Sequence, residues 1–167
     1  MEIRRYKVDE ESAIWGVYFA ATHESLARDY HADLIERWAP RDRDMKEWAE
    51  RLAQKNPFVA IAGEEIVGMA EMEADGFIDF FYVHPKWQGR GVGKALLATL
   101  ESEAAKLGVS TIFADVSVTA KPFFLSRGFR VTESRSNIIQ GHPAPNFRME
   151  KKPGNERHPA GEGEPLQ

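Results

Sequence analysis

Phe81-Tyr-Val-His-Pro-Lys-Trp-Gln-Gly-Arg-Gly-Val-Gly-Lys94, then Ala95-Leu-Leu-Ala-Thr-Leu100 and on to Leu107, is the stretch whose reading decides the fold. It reads as a strand, a loop, a glycine-rich turn and the start of a helix. Pro85 closes the strand, because proline cannot donate to a ladder and restrains the residue before it. Gly89, Gly91 and Gly93 free the backbone at alternate positions, so main-chain N–H groups can approach a ligand with no Cβ in the way. The helix that follows leaves its first N–H groups unpaired and points the positive end of its dipole at the turn. Together these features make an anion site suited to phosphate. Arg90 and Lys94 add full positive charges at the same place.

Three kinds of phosphate-binding loop come into question. A P-loop needs G-x-x-x-x-G-K-[ST]; Gly89 to Gly93 is one residue too short for it, and Ala95 has no hydroxyl for a magnesium ion. A dinucleotide fingerprint needs G-x-G-x-x-G directly after a strand. Here Lys94 takes the last glycine position, and His84 to Gln88 separate strand from glycines. Asp115 does fall about 20 residues on, where a ribose-binding acid would sit. The third kind fits best. Gln88-Gly89-Arg90-Gly91-Val92-Gly93 resembles the Q/R-x-x-G-x-G/A signature of the GCN5-related N-acetyltransferase (GNAT) superfamily, and Tyr82-Val83-His84-Pro85 resembles that family's strand end. The resemblance implies that Gln88, Gly89, Arg90, Gly91, Val92, Gly93 and Lys94 hold the diphosphate of acetyl-coenzyme A.

The length of 167 residues suits one domain with a sizeable core. A net charge of −4 gives no electrostatic case for nucleic acid or an anionic membrane as partner. With no cysteine there are no disulfides, thiolate metal sites or cysteine nucleophiles, and a reducing compartment is compatible. The start, Met1-Glu2-Ile3-Arg4-Arg5-Tyr6-Lys7, lacks the apolar run of a signal peptide, and no segment approaches a membrane span. A soluble, cytoplasmic protein is the expectation.

Ile3 to Val8 reads as a short edge strand. Asp9 and Glu11 open a helix whose Ile14, Val17, Tyr18 and Ala21 repeat at helical spacing, and which gives out near His23-Glu24. A less regular helical region covers Tyr30 to Trp38. Asp42 or Asp44 caps a third helix carrying Met45, Trp48, Ala49 and Leu52 on one face, ended by Asn56-Pro57. Phe58–Ala62, Ile66–Met72 and Phe77–Val83 then form an antiparallel meander, with Asp75-Gly76 as a hairpin signal. The third of these strands shows Phe77, Phe81 and Val83 on one face and Ile78, Phe80 and Tyr82 on the other, so both faces of the sheet are covered. The next helix packs Val92, Leu96, Leu100 and Leu107 inward. Thr111–Val116 lies parallel to Phe77–Val83, because a helix crossover joins them. A short helix over Ala120–Ser126, a strand over Phe129–Ile139, a turn at His142-Pro143-Ala144-Pro145 and a strand over Phe147–Glu150 follow. Residues 1–150 are expected to form the single domain. Residues 151–167, rich in Pro, Gly and Glu, are expected to be a flexible tail.

A second stretch, Ser117 to Phe129, resembles the GNAT segment that ends in a "GF" pair, here Gly128-Phe129. The resemblance implies an α/β (α+β) fold with a mixed, mostly antiparallel central sheet of about six or seven strands and helices on both faces. It further implies that the two parallel strands splay beyond Val83 and Val116. The pantetheine arm then pairs with main-chain atoms of Phe81, Tyr82 and Val83 as an added strand would. Ser117 falls where many relatives carry an asparagine that contacts the cofactor.

The implied chemistry is direct attack of a neutral amine on the thioester carbonyl. An amine is protonated at pH 7, so a group must take a proton. Asp79 is the favoured base, as the one carboxylate in a strand apolar on both faces; its bland reading is an ion pair with an arginine such as Arg148. Glu71 and Glu73 share a face that is ordinarily solvated, although Glu71 could line the acceptor cleft. The family often places a tyrosine acid where this chain has Phe124, which leaves Tyr82, a water or no acid at all for the departing thiolate. His23, Tyr30, His31 and Trp38 fall in the insert that shapes the acceptor site in relatives. The histidines show no metal-ligand spacing, and no metal is expected. The expected activity is acetyl-coenzyme A-dependent N-acetylation of a small-molecule or peptide amine, in a monomer or homodimer. One rival is a catalytically weak acyl-coenzyme A-binding or interaction module of the same fold. The other is a nucleotide-binding oxidoreductase.

Overall fold

The computed structural model describes residues 1–153. A seven-stranded sheet runs in the order β1-β2-β3-β4-β5-β9-β6. Its strands are β1 (Glu2–Arg5), β2 (Phe58–Ala62), β3 (Glu65–Met72), β4 (Phe77–Val83), β5 (Ile112–Ser117), β6 (Arg130–Arg135) and β9 (Asn146–Lys151). Every neighbour pair is antiparallel except β4 with β5. That one parallel step is bridged by helix α4 (Val92–Leu107), as a crossover requires.

Helices cover both faces. On one, α4 and α5 (Lys121–Ser126) bury Leu96, Leu97, Leu100 and Phe124 against Val67, Ala70, Ile112 and Met149. Burying each such aliphatic side chain stabilises the fold by roughly 1.5–3 kcal/mol. Gly68 sets the approach of α4, since a Cβ there would stand 2.9 Å from Val92 Cγ1 and 3.0 Å from Leu96 Cδ1. The first turn of α4 is thereby seated on β3. On the other face, α1 (Glu11–Ala20) and α3 (Met45–Lys55) pack Ile14, Trp48 and Leu52 on Val59, Met69 and Phe80. Asp44, not Asp42, caps α3, accepting from Lys46 N at 2.9 Å. The remaining helix, α2 (Ala32–Trp38), lies in the insert between α1 and α3.

Several expectations need correction. Asp9 caps nothing; it takes φ +80° in a turn, and Glu10 stands at the N-cap of α1. The first helix does not stop at His23-Glu24: it widens into a π-helical turn over Ala21–Ser25 and then a 3₁₀ turn over Leu26–Arg28. Leu107, expected to pack inward, is exposed; it is the last residue of α4, which Gly108 caps in the left-handed conformation. The expected strand over Phe129–Ile139 breaks after Arg135. Ile138–Ile139 (β7) instead pairs with His142–Pro143 (β8) in a small hairpin where a plain turn was expected. Lys151, the first residue of the expected tail, is the last residue of β9; residues 154–167 of that tail lie outside the described residues.

Candidate active site

β4 and β5 pair only at Phe77–Phe113 and Ile78–Ala114. The cause lies on the far side of β4. Glu71 opposes Phe80 and Met72 opposes Ile78, so Asp79 is the extra residue of a β-bulge. The bulge bends β4 and resets its faces. Ile78 joins Phe81 and Val83 on the α4 side, while Phe80 and Tyr82 face α1 and α3. The alternation expected for this strand therefore fails at Asp79. Beyond the bulge the strands part around a cleft of about 560 Å³, lined by Phe81, Tyr82 and Val83 on one side and Val116 and Ser117 on the other.

The glycine turn closes one end of the cleft. Gly89 and Gly91 take φ +75° and +86° with nothing within 4 Å of where a Cβ would stand. Gly91 is the N-cap of α4 and supplies no side-chain bond. The N–H groups from Gly89 to Lys94 have no backbone or side-chain acceptor among the described residues; the first helical bond is Ala95 N to Gly91 O, 3.0 Å. A row of free amides at a helix N-terminus is thus open to the cleft. Lys94 lines it, as expected. Arg90 does not: its guanidinium sits over the Trp87 ring at 4.9 Å, outside the lining. Gly93 serves packing more than approach, since a Cβ there would meet the Phe123 ring at 3.0 Å. Val92 is buried and lends only its backbone. Gln88 donates to Ser25 Oγ (3.0 Å) and Val83 O (3.4 Å), clasping the π-helical turn to the end of β4.

Ser117 lines the opposite wall, and its hydroxyl accepts from Ala120 N at 3.0 Å, leaving its O–H free to donate. Tyr30 ties the insert to this wall. Its hydroxyl accepts from Val118 N (2.9 Å) and donates to Pro145 O (2.6 Å). Phe124 is buried among Phe81, Phe123 and Phe129.

The carboxylates lie at the bulge. Asp79 lines the cleft but is not the unpaired charge that was expected. Lys55 Nζ stands 3.0 Å from it and Arg51 Nη2 3.8 Å, while Arg148, the anticipated partner, binds Asp115 at 2.7 Å. The isolated carboxylate is Glu71. It is only 4% exposed, and its Oε2 has no hydrogen-bond partner among the described residues. Burial, reinforced by Asp79 and Glu73 and only partly offset by Lys55, pushes its carboxyl up to about 7. The hydrogen bonds that the Lys55 ammonium donates to Glu73 and Asp79 hold it well above its usual range. Tyr82 packs edge-on against Tyr18 at 4.7 Å, and burial drives its hydroxyl far above the ordinary phenol range. Such a phenol holds its proton too tightly to serve as an acid near neutrality.

Asp115 is spoken for. Burial alone raises its carboxyl, but Arg148 and Arg135, each at 2.7 Å, more than reverse this and leave it below the usual range. It is therefore no free ribose acceptor. His23 is satisfied by Ala39 O at 2.7 Å, and Trp38 packs against Tyr30. The fold does bring His31, Asp33 and His142 together: His142 Nε2 lies 3.0 Å from Asp33 Oδ2, and the two imidazoles stack at 3.7 Å. No spacing in the sequence signalled that cluster, because His142 arrives on the β7–β8 hairpin.

A strand pair parted by a bulge, with free helix-terminal amides at one end and Asp79 in its lining, can hold an extended anionic ligand. The chain belongs to the GNAT acetyltransferase family: the model of the acetyltransferase (GNAT) domain matches residues 26–151. It is 31% identical over 153 residues to the uncharacterized N-acetyltransferase YafP of Escherichia coli K12, an alignment covering 92% of this chain and 97% of the relative. A GCN5-related N-acetyltransferase from Rhodopseudomonas palustris superposes with a TM-score of 0.83 at 29% identity, covering 90% of this chain and 94% of that one. The PaiA N-acetyltransferase of Thermoplasma acidophilum, in complex with coenzyme A, shares the fold with a TM-score of 0.73 at 21% identity, over 90% and 98% of the chains. The enzyme is an N-acetyltransferase of this family, and no helix among the described residues is long and apolar enough to cross a membrane.

Proposed function

We propose that the protein moves the acetyl group of acetyl-coenzyme A directly to a neutral amine on a small molecule or peptide, in the cytoplasm. The observation that carries this reading is the run of unpaired amides from Gly89 to Lys94 at the end of a cleft between parted strands. The diphosphate takes those amides and Lys94. The pantetheine arm takes the β4 edge at Phe81, Tyr82 and Val83, with the Ser117 hydroxyl opposite. The thioester then lies between the diphosphate and the carboxylates at the bulge. The amine nitrogen forms the new bond to the carbonyl carbon, and the carbon–sulfur bond breaks. A backbone N–H near Val83 steadies the oxyanion, and the nitrogen's proton passes to Asp79, directly or through water. A thiol titrates at about 8.5, so its thiolate is a weak enough base to depart without an acid. That removes the need for the tyrosine that Phe124 replaces.

The test is thiol release from acetyl-coenzyme A across a panel of amines, alongside coenzyme A binding by calorimetry. Thermal stabilisation by coenzyme A with no thiol release from any amine would favour the module without turnover. Absence of cofactor binding removes the reading altogether.

Gly91→Glu is expected to weaken coenzyme A binding at least tenfold. A side chain at φ +86° is strained by about 1 kcal/mol, and the carboxylate faces the phosphates. Calorimetric titration of the folded variant checks this, and unchanged affinity counts against the diphosphate site.

A further inference from the structure

Away from the cleft, the described residues bring one group of metal-ligating side chains together: His31 and Asp33 at the start of α2, and His142 on the β7–β8 hairpin. His142 Nε2 stands 3.0 Å from Asp33 Oδ2, and His31 Nδ1 stands 3.8 Å from the same oxygen. Ligand atoms about 2.0–2.1 Å from a tetrahedral ion lie about 3.3 Å from one another, between those two separations. Asp33 and His142 are 109 residues apart in the chain, yet the backbone fixes their approach. Gln140 and Gly141 take φ +50° and +79°, the two positive values of the tight turn that sets His142 opposite Ile139. Ala144 N donates to Asn137 O at 2.7 Å, and Ala144 shares a small core with Tyr30, Leu34 and Ile35. The Tyr30 hydroxyl, one residue before His31, donates to Pro145 O. The helix and the hairpin are thus seated on each other without help from an ion.

We propose that His31, Asp33 and His142 bind a divalent transition-metal ion such as Zn²⁺, which clips α2 to the β7–β8 hairpin. Two imidazoles and a carboxylate suit Zn²⁺, Ni²⁺ or Cu²⁺, whereas Mg²⁺ and Ca²⁺ favour oxygen ligands. His31 Nδ1 accepts from Asp33 N at 3.1 Å, so this nitrogen already carries its lone pair. The ion takes the place of the proton held between His142 Nε2 and Asp33 Oδ2. The two imidazoles stack with their planes 14° apart, so their lone pairs lie in nearly parallel planes. Convergence on one ion turns the His31 ring out of the stack. That side chain is exposed, and among the described residues it gives up only its bond from Asp33 N, which water can replace. Three protein ligands leave the fourth position of the tetrahedron to water. None of the three lines the main cleft, so the proposal stands independently of the acetyl-coenzyme A reading.

The experiment titrates Zn²⁺ into the chelator-treated full chain by calorimetry, for wild type, His31→Ala, His142→Ala and, as a control, His84→Ala. Wild type is expected to take up one Zn²⁺ per chain. His31→Ala and His142→Ala should each bind it at least tenfold more weakly, and His84→Ala should bind it as wild type does. Free Zn²⁺ at a hundredfold excess over Kd should raise the wild-type Tm by roughly 5 °C, and that shift should disappear in both weakened variants. Circular dichroism shows whether each variant is folded, and His31→Gln or His142→Gln stands in for an alanine variant that is not. A wild type that takes up no stoichiometric Zn²⁺, or an affinity undiminished by the loss of either histidine, overturns the site.

Discussion

Asp79→Asn is expected to lower kcat on the order of 10²–10³-fold, within the range that a positioned general base supplies, and to leave coenzyme A affinity unchanged. The separation follows from the geometry. The diphosphate site sits on the amides from Gly89 to Lys94, whereas Asp79 projects from the bulge at the other end of the parted strands. Asparagine keeps the size of the side chain and loses its capacity to take a proton. It also frees Lys55, which still has Glu73 at 2.6 Å, so the local structure stays anchored. Steady-state kinetics on the best amine, with coenzyme A calorimetry beside it, reads the effect. A variant with normal turnover sinks the assignment of Asp79 as base; parallel loss of turnover and cofactor affinity would mean that Asp79 shapes the cleft instead.

The parts of this site legible in the sequence are those encoded locally. Gly89 and Gly91, a strand-ending proline and the apolar spacing of α4 specify a turn and a helix start with no help from distant residues. The crossover then dictates that β4 and β5 run parallel. What escaped the sequence depends on contacts between distant segments. Asp79 reads as an interior strand position, and only its pairing against β3 reveals that it is a bulge residue without a partner. Lys55 is the last residue of α3, and nothing near it in the chain announces that it reaches Glu73 and Asp79. Glu71 and Glu73 alternate like a solvated face, yet Glu71 is covered, because Trp48, Phe80 and Met69 build the second core on that side of the sheet. The widening of the first helix at Ala21–Ser25 is a matter of hydrogen-bond register, which composition does not report.

Glu71 gives the other large effect, and it appears in stability as well as rate. Its carboxyl titrates near 7 in the fold against an ordinary 4.5. Below pH 4.5 it is protonated whether the chain is folded or not, and it costs nothing. Between 4.5 and 7 the unfolded chain releases the proton while the fold keeps it, so rising pH favours unfolding. At 1.36 kcal/mol per unit, the loss amounts to roughly 3 kcal/mol by pH 8. Glu71→Gln removes the titration, so the difference between urea unfolding at pH 5 and at pH 8 should shrink by roughly 2.5 kcal/mol in the variant. The comparison of slopes is independent of any constant cost of burying the amide. The same proton sits beside Asp79 and Lys55, and its release changes the field at the proposed base. Wild-type kcat should therefore rise with pH through an inflection near 7 that Glu71→Gln lacks. If both proteins show the same stability slope and the same inflection, Glu71 is not the group that titrates there, and the bulge carboxylates do not act together.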